Sequence, residues 1–439
     1  MFASLRKQVV ARLPRGRIAR GIITLASGTA MAQIITICST PIVTRLYEPA
    51  QVGLISLFLA FFSFWSPTLS LRYEYALLIA KDDVESHIVC RLGIILVALL
   101  SVLGLPVLWW LRETGTLGFG LLPYWAPFAA VPILLGYGVF MVYRSWALRA
   151  GIVSLITRAT IVRSLMSAAV RVVLGVFGGG VPALFASQLV ASWAAMFELV
   201  RNVGRHFAPS RLRAISSREL LVIARQYIKF PVLDTPSTWV NQLTMALPVS
   251  MTASLFGATA VGWFGLARTI VSMPNAQIGA AVADVFQMEI ASAVVAGDVS
   301  SARSLFFKLM RRLALIGLLP LLVVVVFCPL LMPWVFGDAW REAGYVSAII
   351  APWLYAALIV SPLSRVLSVL QAQEYKLIYD VSAIVLIVVA FLLAKSRHFS
   401  FLDFVAAISL AAFLGYVIYA ILIVTVVEMR LRGAGHGVR

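Results

Sequence analysis

Charged side chains are scarce in this 439-residue chain and acids are scarcest: Asp, Glu, Lys and Arg together make up 12%, with 18 acidic against 36 basic residues. So few polar groups cannot cover a globular surface in water, and 61% apolar residues with a mean hydropathy of +0.96 make the bilayer the solvent. The three cysteines, Cys38, Cys90 and Cys328, lie far apart in or beside apolar segments, which argues against a disulfide framework and against a metal site. Four histidines, His87, His206, His398 and His436, fall in expected loops or tails without arranged partners and read as solvated surface groups. Gly178-Gly179-Gly180 lacks the Lys and Ser/Thr of an ATPase phosphate loop and marks a turn between spans. No cofactor is expected.

What the chain has instead is apolar segments of about 18 to 25 residues, recurring about twelve times, each long enough to cross about 30 Å of hydrocarbon as a helix. In the first half they run over 21–43, 51–71, 92–111, 121–143, 160–177 and 182–200. In the second half they run over 230–256, 260–282, 313–336, 345–370, 377–394 and 401–427. The expected fold is therefore an all-α polytopic membrane protein with a basic arm (1–20), an N-terminal six-helix lobe (21–200), a basic linker (201–229), a C-terminal six-helix lobe (230–427) and a basic tail (428–439).

Counted from an inside N-terminus, about 28 of the 36 Lys and Arg fall on the cytoplasmic side, which follows the positive-inside rule and places both termini inside. These cations flank apolar spans without interleaved aromatics, so anionic membrane lipids, not nucleic acid, are the expected partner. The amphipathic run Phe2 to Leu13 suits the membrane surface. Ala30-Met31-Ala32 has the form of a signal-peptidase site, but cleavage there would fall inside an apolar run that continues well past it. An offset of 209 residues aligns Gln33 with Gln242, Leu46-Tyr47 with Leu255-Phe256, and Val52-Gly53 with Val261-Gly262, a weak internal echo that suggests two halves related by a pseudo-twofold axis along the membrane normal.

Ionisable residues inside spans need a reason, since a central charge costs roughly 2.5 to 3.5 kcal/mol on insertion scales. Arg72 and Glu74 close the second span, Asp234 opens the seventh, Arg268 lies inside the eighth, Arg365 inside the tenth and Asp380 near the start of the eleventh; Arg163 and Arg171 belong to the fifth. Arg72, Arg163 and Asp380 lie near enough to the interface to snorkel or cap helices instead. Outside loops are short, about 5 to 12 residues. That leaves little room for the acid/base groups of an enzyme that polymerises or ligates lipid-linked sugars.

Several stretches resemble bacterial polysaccharide flippases of the multidrug/oligosaccharidyl-lipid/polysaccharide exporter superfamily. They are residues 40–53 (TPIVTRLYEPAQVG), 71–76 (LRYEYA), 230–234 (FPVLD), 261–268 (VGWFGLAR) ahead of Met273-Pro274, and 336–345 (FGDAWREAGY). The resemblance implies two six-helix lobes around a central cavity, alternating access, and carriage of O-antigen, capsule or exopolysaccharide repeat units across the bacterial inner membrane. It implies as substrate a polyprenyl-diphosphate-linked oligosaccharide, with polysaccharide polymerase and export machinery as further candidate partners. On this reading Arg268 and Arg365, with Arg72 as a weaker candidate, face the diphosphate. Gln33, Asn241 and Gln242 are candidate sugar contacts or interhelical glue. Asp234, Glu74 and Asp380 are candidate coupling carboxylates or simply counter-ions of the arginines. A multidrug exporter of the same superfamily is the alternative, disfavoured because arginines would repel organic cations.

Overall fold

The computed structural model describes residues 17–204, 216–274 and 279–433. The run Phe2 to Leu13, the basic arm through Arg15, and linker residues Arg205, His206, Arg211 and Arg213 lie outside the described residues, as does His436.

Among the described residues every regular element is helical. The first half holds α1 (Arg17–Leu46), α2 (Pro49–Trp65), α3 (Tyr73–Ile79), α4 (Asp83–Glu113), α5 (Ala126–Arg149), α6 (Val153–Val176), α7 (Gly180–Gly204) and α8 (Ser217–Gln226). The second holds α9 (Thr235–Pro274), α10 (Ala280–Val295), α11 (Val299–Phe336), α12 (Arg341–Leu363), α13 (Arg365–Val369), α14 (Glu374–Arg397) and α15 (Phe401–Gly433). Eleven helices among the described residues are long and apolar enough to cross a membrane, against about twelve expected. The difference lies in one of them, which runs over 43 residues from Phe230 to Ser272, or about 65 Å at 1.5 Å per residue, twice what a bilayer needs. Gly257 interrupts it in a conformation that suits only glycine (φ 78°, ψ −174°), so the expected seventh and eighth spans lie on either side of that residue. The expected turn at Gly178-Gly179-Gly180 joins α6 to α7, with Gly178 and Gly180 both at positive φ.

Large apolar side chains stand on the outside of these helices. Leu319, Leu330 and Trp334 of α11 are all more than two-thirds exposed, an arrangement stable in lipid and not in water. By packing, the chain divides into two compact units that interleave along the sequence. One takes the described residues through Leu46, Trp65–Trp110 and Pro123–Thr238; the other takes Tyr47–Phe64, Leu111–Leu122 and the described residues from Trp239 onward.

In the first unit α1, α6 and α7 pack as neighbours and α5 lies against α7. Thr157 of α6 donates to the Thr24 carbonyl of α1 (3.0 Å), and Trp193 of α7 donates through its indole to the Pro132 carbonyl of α5 (3.0 Å), an acceptor inside a helix that its proline perturbs. In the second unit α12 packs against α11 and α15, with Trp340 fully buried beside Leu266 and Ala343.

The 209-residue echo has a physical counterpart inside the second unit. A Cβ on Gly53 would collide with the Ala258 carbonyl, and a Cβ on Gly262 would collide with the Pro49 carbonyl. The same offset converts one contact into the other, because Pro49 maps to Ala258 and Gly53 to Gly262. A Cβ on Gly265 would meet Ser56, and those two positions are again 209 apart. Two helices thus cross backbone to backbone in a self-complementary way, as an isologous contact requires.

Gly53→Ala and Gly262→Ala should each cost about 1 to 3 kcal/mol through overpacking against backbone that cannot yield. Gly415→Ala, whose Cβ would sit an ordinary 3.6 Å from Ala383, should be neutral or stabilising by up to about 1 kcal/mol. Thermal unfolding in detergent, followed by size-exclusion of the intact chain, checks this; equal melting of all three variants would contradict the close crossing.

Candidate functional site

The connection after α2 is held in an unusual backbone conformation. A 3-10 turn at Ser66–Thr68 follows Trp65, and then Leu71 (φ 47°) and Arg72 (φ 65°) are both left-handed, a conformation that costs an L-residue roughly 1 to 2 kcal/mol. Such strain persists only where surrounding contacts over-determine it, and here those contacts belong to Arg72. Its Nε donates to Asp234 Oδ2 at 2.7 Å, its Nη1 lies 3.9 Å from Glu74 Oε1, and its guanidinium sits over the Tyr75 ring at 4.3 Å. Asp234 ends a π-helical turn, Phe230–Asp234, in which Pro231 contributes no N–H, and such turns recur at functional sites.

The three charges are graded in exposure. The side chain of Glu74 is 5% exposed, that of Arg72 19% and that of Asp234 44%. Burial pushes the Glu74 carboxyl above its ordinary value, against the opposing pull of the Ser70 hydroxyl, a backbone hydrogen bond and Arg72. Burial alone would depress the Arg72 guanidinium, but the bond to Asp234, with Tyr75 and both carboxylates, outweighs it and holds that group above its usual range. The structure therefore brings together Arg72, Glu74 and Asp234, from two of the motif stretches more than 150 residues apart in sequence.

A second polar clamp backs this turn, and sequence reasoning missed it. Glu85 accepts from Gln226 Nε2 (2.5 Å), the Tyr227 hydroxyl (3.1 Å) and the Lys81 amide (2.6 Å), which ties α8 to the start of α4. Tyr73 donates to the Ala224 carbonyl (2.8 Å), and Arg149 caps the end of α3 through the Leu77 and Ala80 carbonyls (3.0 and 2.7 Å). Burial and the Glu85 carboxylate push the Tyr227 hydroxyl up. In the sequence Glu85 is one acid in a polar stretch, and only long-range packing gives it a role.

The other expected site residues are dispersed. Arg268, half-buried in the second unit, donates to the Met245 carbonyl (2.6 Å) and meets Met245 Sδ (3.2 Å), with Trp353 on one side (5.9 Å). Arg365 begins α13 just after α12 stops behind Pro362, and it is exposed. Gln33 is half-buried in the first unit, and Asn241 and Gln242 are half-buried in the second. Asp380 is buried and paired to Lys376 (2.7 Å) one turn away, which gives it a counter-ion other than an arginine.

A polar cavity of about 220 Å³ lies inside the first unit, between α1, α6 and α7. Arg163 and Arg171 line it with Ser164 and Ser167 of the same helix, Ser39 of α1 and Gln188 of α7. The sequence showed both arginines within one span. It did not show that they share a void. Among the described residues no group of three His, Cys, Asp or Glu is placed to hold a metal ion.

The folded chain retains the Glu74 proton at pH values where the unfolded chain has lost it, so stability should fall as pH rises from the ordinary value of 4.5 through the raised one. Glu74→Gln cannot ionise and should lose less melting temperature than the parent over the same rise. Calorimetric scans across that range check it, and parallel curves for the two proteins would contradict it.

Residues 42–345 match the family model described as polysaccharide biosynthesis protein. None of the curated proteins matches the chain in sequence. Among solved structures, an inward-facing multidrug resistance MATE family transporter of the MOP superfamily superposes with a TM-score of 0.70 at 14% identity, over 93% of this chain and 96% of that one. The lipid II flippase MurJ in an inward closed conformation gives 0.65 at 10% identity, over 94% and 92%. A mutant form of the Vibrio cholerae MATE transporter VcmN gives 0.56 at 15% identity, over 95% and 97%. At such identities the likeness establishes the fold alone, a multi-pass α-helical one. The family match covers well over half of the sequence, and the chain belongs to the polysaccharide biosynthesis protein family.

Proposed function

We propose that this protein is a flippase that moves polyprenyl-diphosphate-linked oligosaccharide repeat units, of O-antigen, capsule or exopolysaccharide type, from the cytoplasmic to the outer leaflet of the bacterial inner membrane by alternating access. The observation that carries the reading is the pairing of its family, polysaccharide biosynthesis, with the arginines carried inside its spans, Arg163, Arg171 and Arg268. MurJ, which shares the fold, is a flippase of another lipid-linked substrate, lipid II. Translocation makes and breaks no covalent bond, so the role is transport, not catalysis. The distribution of Lys and Arg supports cytoplasmic termini.

The chemistry of such a cargo fits these residues. Each sugar hydroxyl taken from water without a replacement costs roughly 2 to 7 kcal/mol, so the headgroup needs amides and hydroxyls along its path, for which Gln33, Asn241 and Gln242 are candidates. The diphosphate needs cations that stay charged, and guanidinium forks pair two oxygens at once. Arg268 and Arg365 are assigned to it. Arg72 meets an anion by exchanging Asp234, the more exposed of its two carboxylate partners, for a phosphate oxygen. That exchange gives Asp234 and Glu74 a role in biasing one state over another, whereas Asp380 stays with Lys376.

A multidrug exporter would instead place carboxylates in its path, and its cargo would be repelled by Arg163, Arg171 and Arg268. Cells lacking this chain should lose surface polysaccharide and accumulate lipid-linked repeat units, with recovery on supplying the intact protein. Arg268→Ala should cut export about 10- to 100-fold, the loss expected for a charge-assisted hydrogen bond, and Arg268→Lys should keep part of it. Normal export by a normally expressed Ala variant would remove Arg268 from the mechanism.

A further inference from the structure

The short helix α8 is divided lengthwise into a packed side and an open one. Ile223 is buried, Leu220 and Ala224 are half-buried beside it, and Tyr227 follows them into the protein, where the Glu85 clamp and the Tyr73 hydrogen bond hold the helix. The opposite side carries Leu221 and Val222, both more than half exposed, together with exposed Arg218 and Arg225. At about 100° per residue, Arg225 lies about 40°, Arg218 about 60° and Val222 about 100° from Leu221, so apolar and cationic side chains share one stripe. Ile228 and Lys229, exposed in the turn that follows, continue the same mixture. The one acid of α8, Glu219, is engaged in its cap: the Ser216 hydroxyl accepts from the Glu219 amide (3.2 Å) and the Glu219 carboxylate accepts from the Ser216 amide (2.8 Å). Among the described residues no carboxylate forms an ion pair with Arg218, Arg225 or Lys229.

Exposed apolar side chains scattered singly need no explanation, but a stripe that mixes them with cations suits a bilayer surface. There the apolar groups enter the headgroup boundary while Arg and Lys reach outward to lipid phosphates. Two observations put α8 at that level. The span that follows begins at Phe230, nine residues after Leu221 or about 13 Å at the helical rise, which keeps α8 close to the interface. Exposed apolar residues also run on into the first turn of that span, at Val232 and Leu233. Charge then selects the lipid, because each cation near an anionic surface strengthens the attraction about fivefold and a zwitterionic surface gives no such gain.

We propose that α8 and the turn behind it form a docking surface for anionic phospholipid, on the face of the bilayer from which the Phe230 span starts, and that lipid held there braces the Glu85 clamp. The brace follows from connectivity. Gln226 and Tyr227, which grip Glu85, come directly after Arg225, and the chain then passes through Phe230–Asp234 to the carboxylate that pairs with Arg72. Holding α8 on lipid therefore opposes local opening of the clamp and of that turn. The inference goes beyond the flippase reading and does not rest on it.

The test is hydrogen exchange of the full chain in nanodiscs of phosphatidylcholine, alone or with phosphatidylglycerol replacing part of it, and with no other protein present. Amides over 217–229 should exchange at least fivefold more slowly with phosphatidylglycerol, and high salt should shrink the difference. Combining Arg218→Gln, Arg225→Gln and Lys229→Gln should abolish it without lowering the melting temperature in pure phosphatidylcholine. Amides over 81–87, around Glu85, should gain protection with the same lipid dependence, and Gln226→Ala with Tyr227→Phe should remove that gain while leaving the one over 217–226. Equal exchange over 217–229 of the parent in the two lipid compositions overturns the docking surface and leaves the stripe to an acidic protein partner. A gain in the parent confined to α8 overturns the brace. Both outcomes are read from the parent alone, so they hold even if a variant fails to fold.

Discussion

A guanidinium at membrane depth is tolerated only where something satisfies it, and this constraint orders the polar architecture of the protein. Within the spans Arg268 is answered by a backbone carbonyl and a thioether, and Arg163 and Arg171 by a ring, a serine and a shared polar void, while Arg72, just beyond the end of its span, is answered by two carboxylates and a tyrosine ring. These solutions differ in what they permit. Arg268 is held against the backbone of its own unit. Arg72 has a partially exposed partner that an anion can replace, and the two arginines of α6 face a space already open.

The close helix crossing in the second unit supplies the contrasting element, one that cannot yield. Gly53 and Gly262 admit each other's backbones, and around them Trp263 donates to the Ala339 carbonyl at 2.8 Å while Val52 and Phe336 cover Trp340. The five motif stretches thus resolve into two clusters. Residues 71–76 and 230–234 meet in the ion-paired turn of the first unit, and the segments around Gly53, Gly262 and Trp340 meet in the crossing of the second. One cluster is charged and strained; the other is small, apolar and tight.

Much of this was legible beforehand because hydrocarbon imposes a length on each span and a sidedness on Lys and Arg. Span positions follow directly from that, including the break at Gly257 between two spans that run on as one apolar stretch. The 209-residue echo was legible at Val52-Gly53 and Val261-Gly262, although not the fact that these positions touch. Pairings such as Arg72 with Asp234 or Glu85 with Tyr227 could not be read, since each joins segments more than 140 residues apart through a particular loop conformation. Nor could the cavity beside Arg163 and Arg171, because a void is a property of three helices together and leaves no mark in any one of them.

The arginines kept inside apolar helices and answered locally are the feature on which the proposed anionic cargo depends. Reconstitution into vesicles gives the most direct test, comparing a short-chain polyprenyl-diphosphate oligosaccharide with the same glycolipid lacking its diphosphate, each tracked by lectin access to the outer face. The expected result is protein-dependent appearance of the diphosphate form alone. Equal movement of both lipids, or none of either alongside uptake of an organic cation, would contradict it.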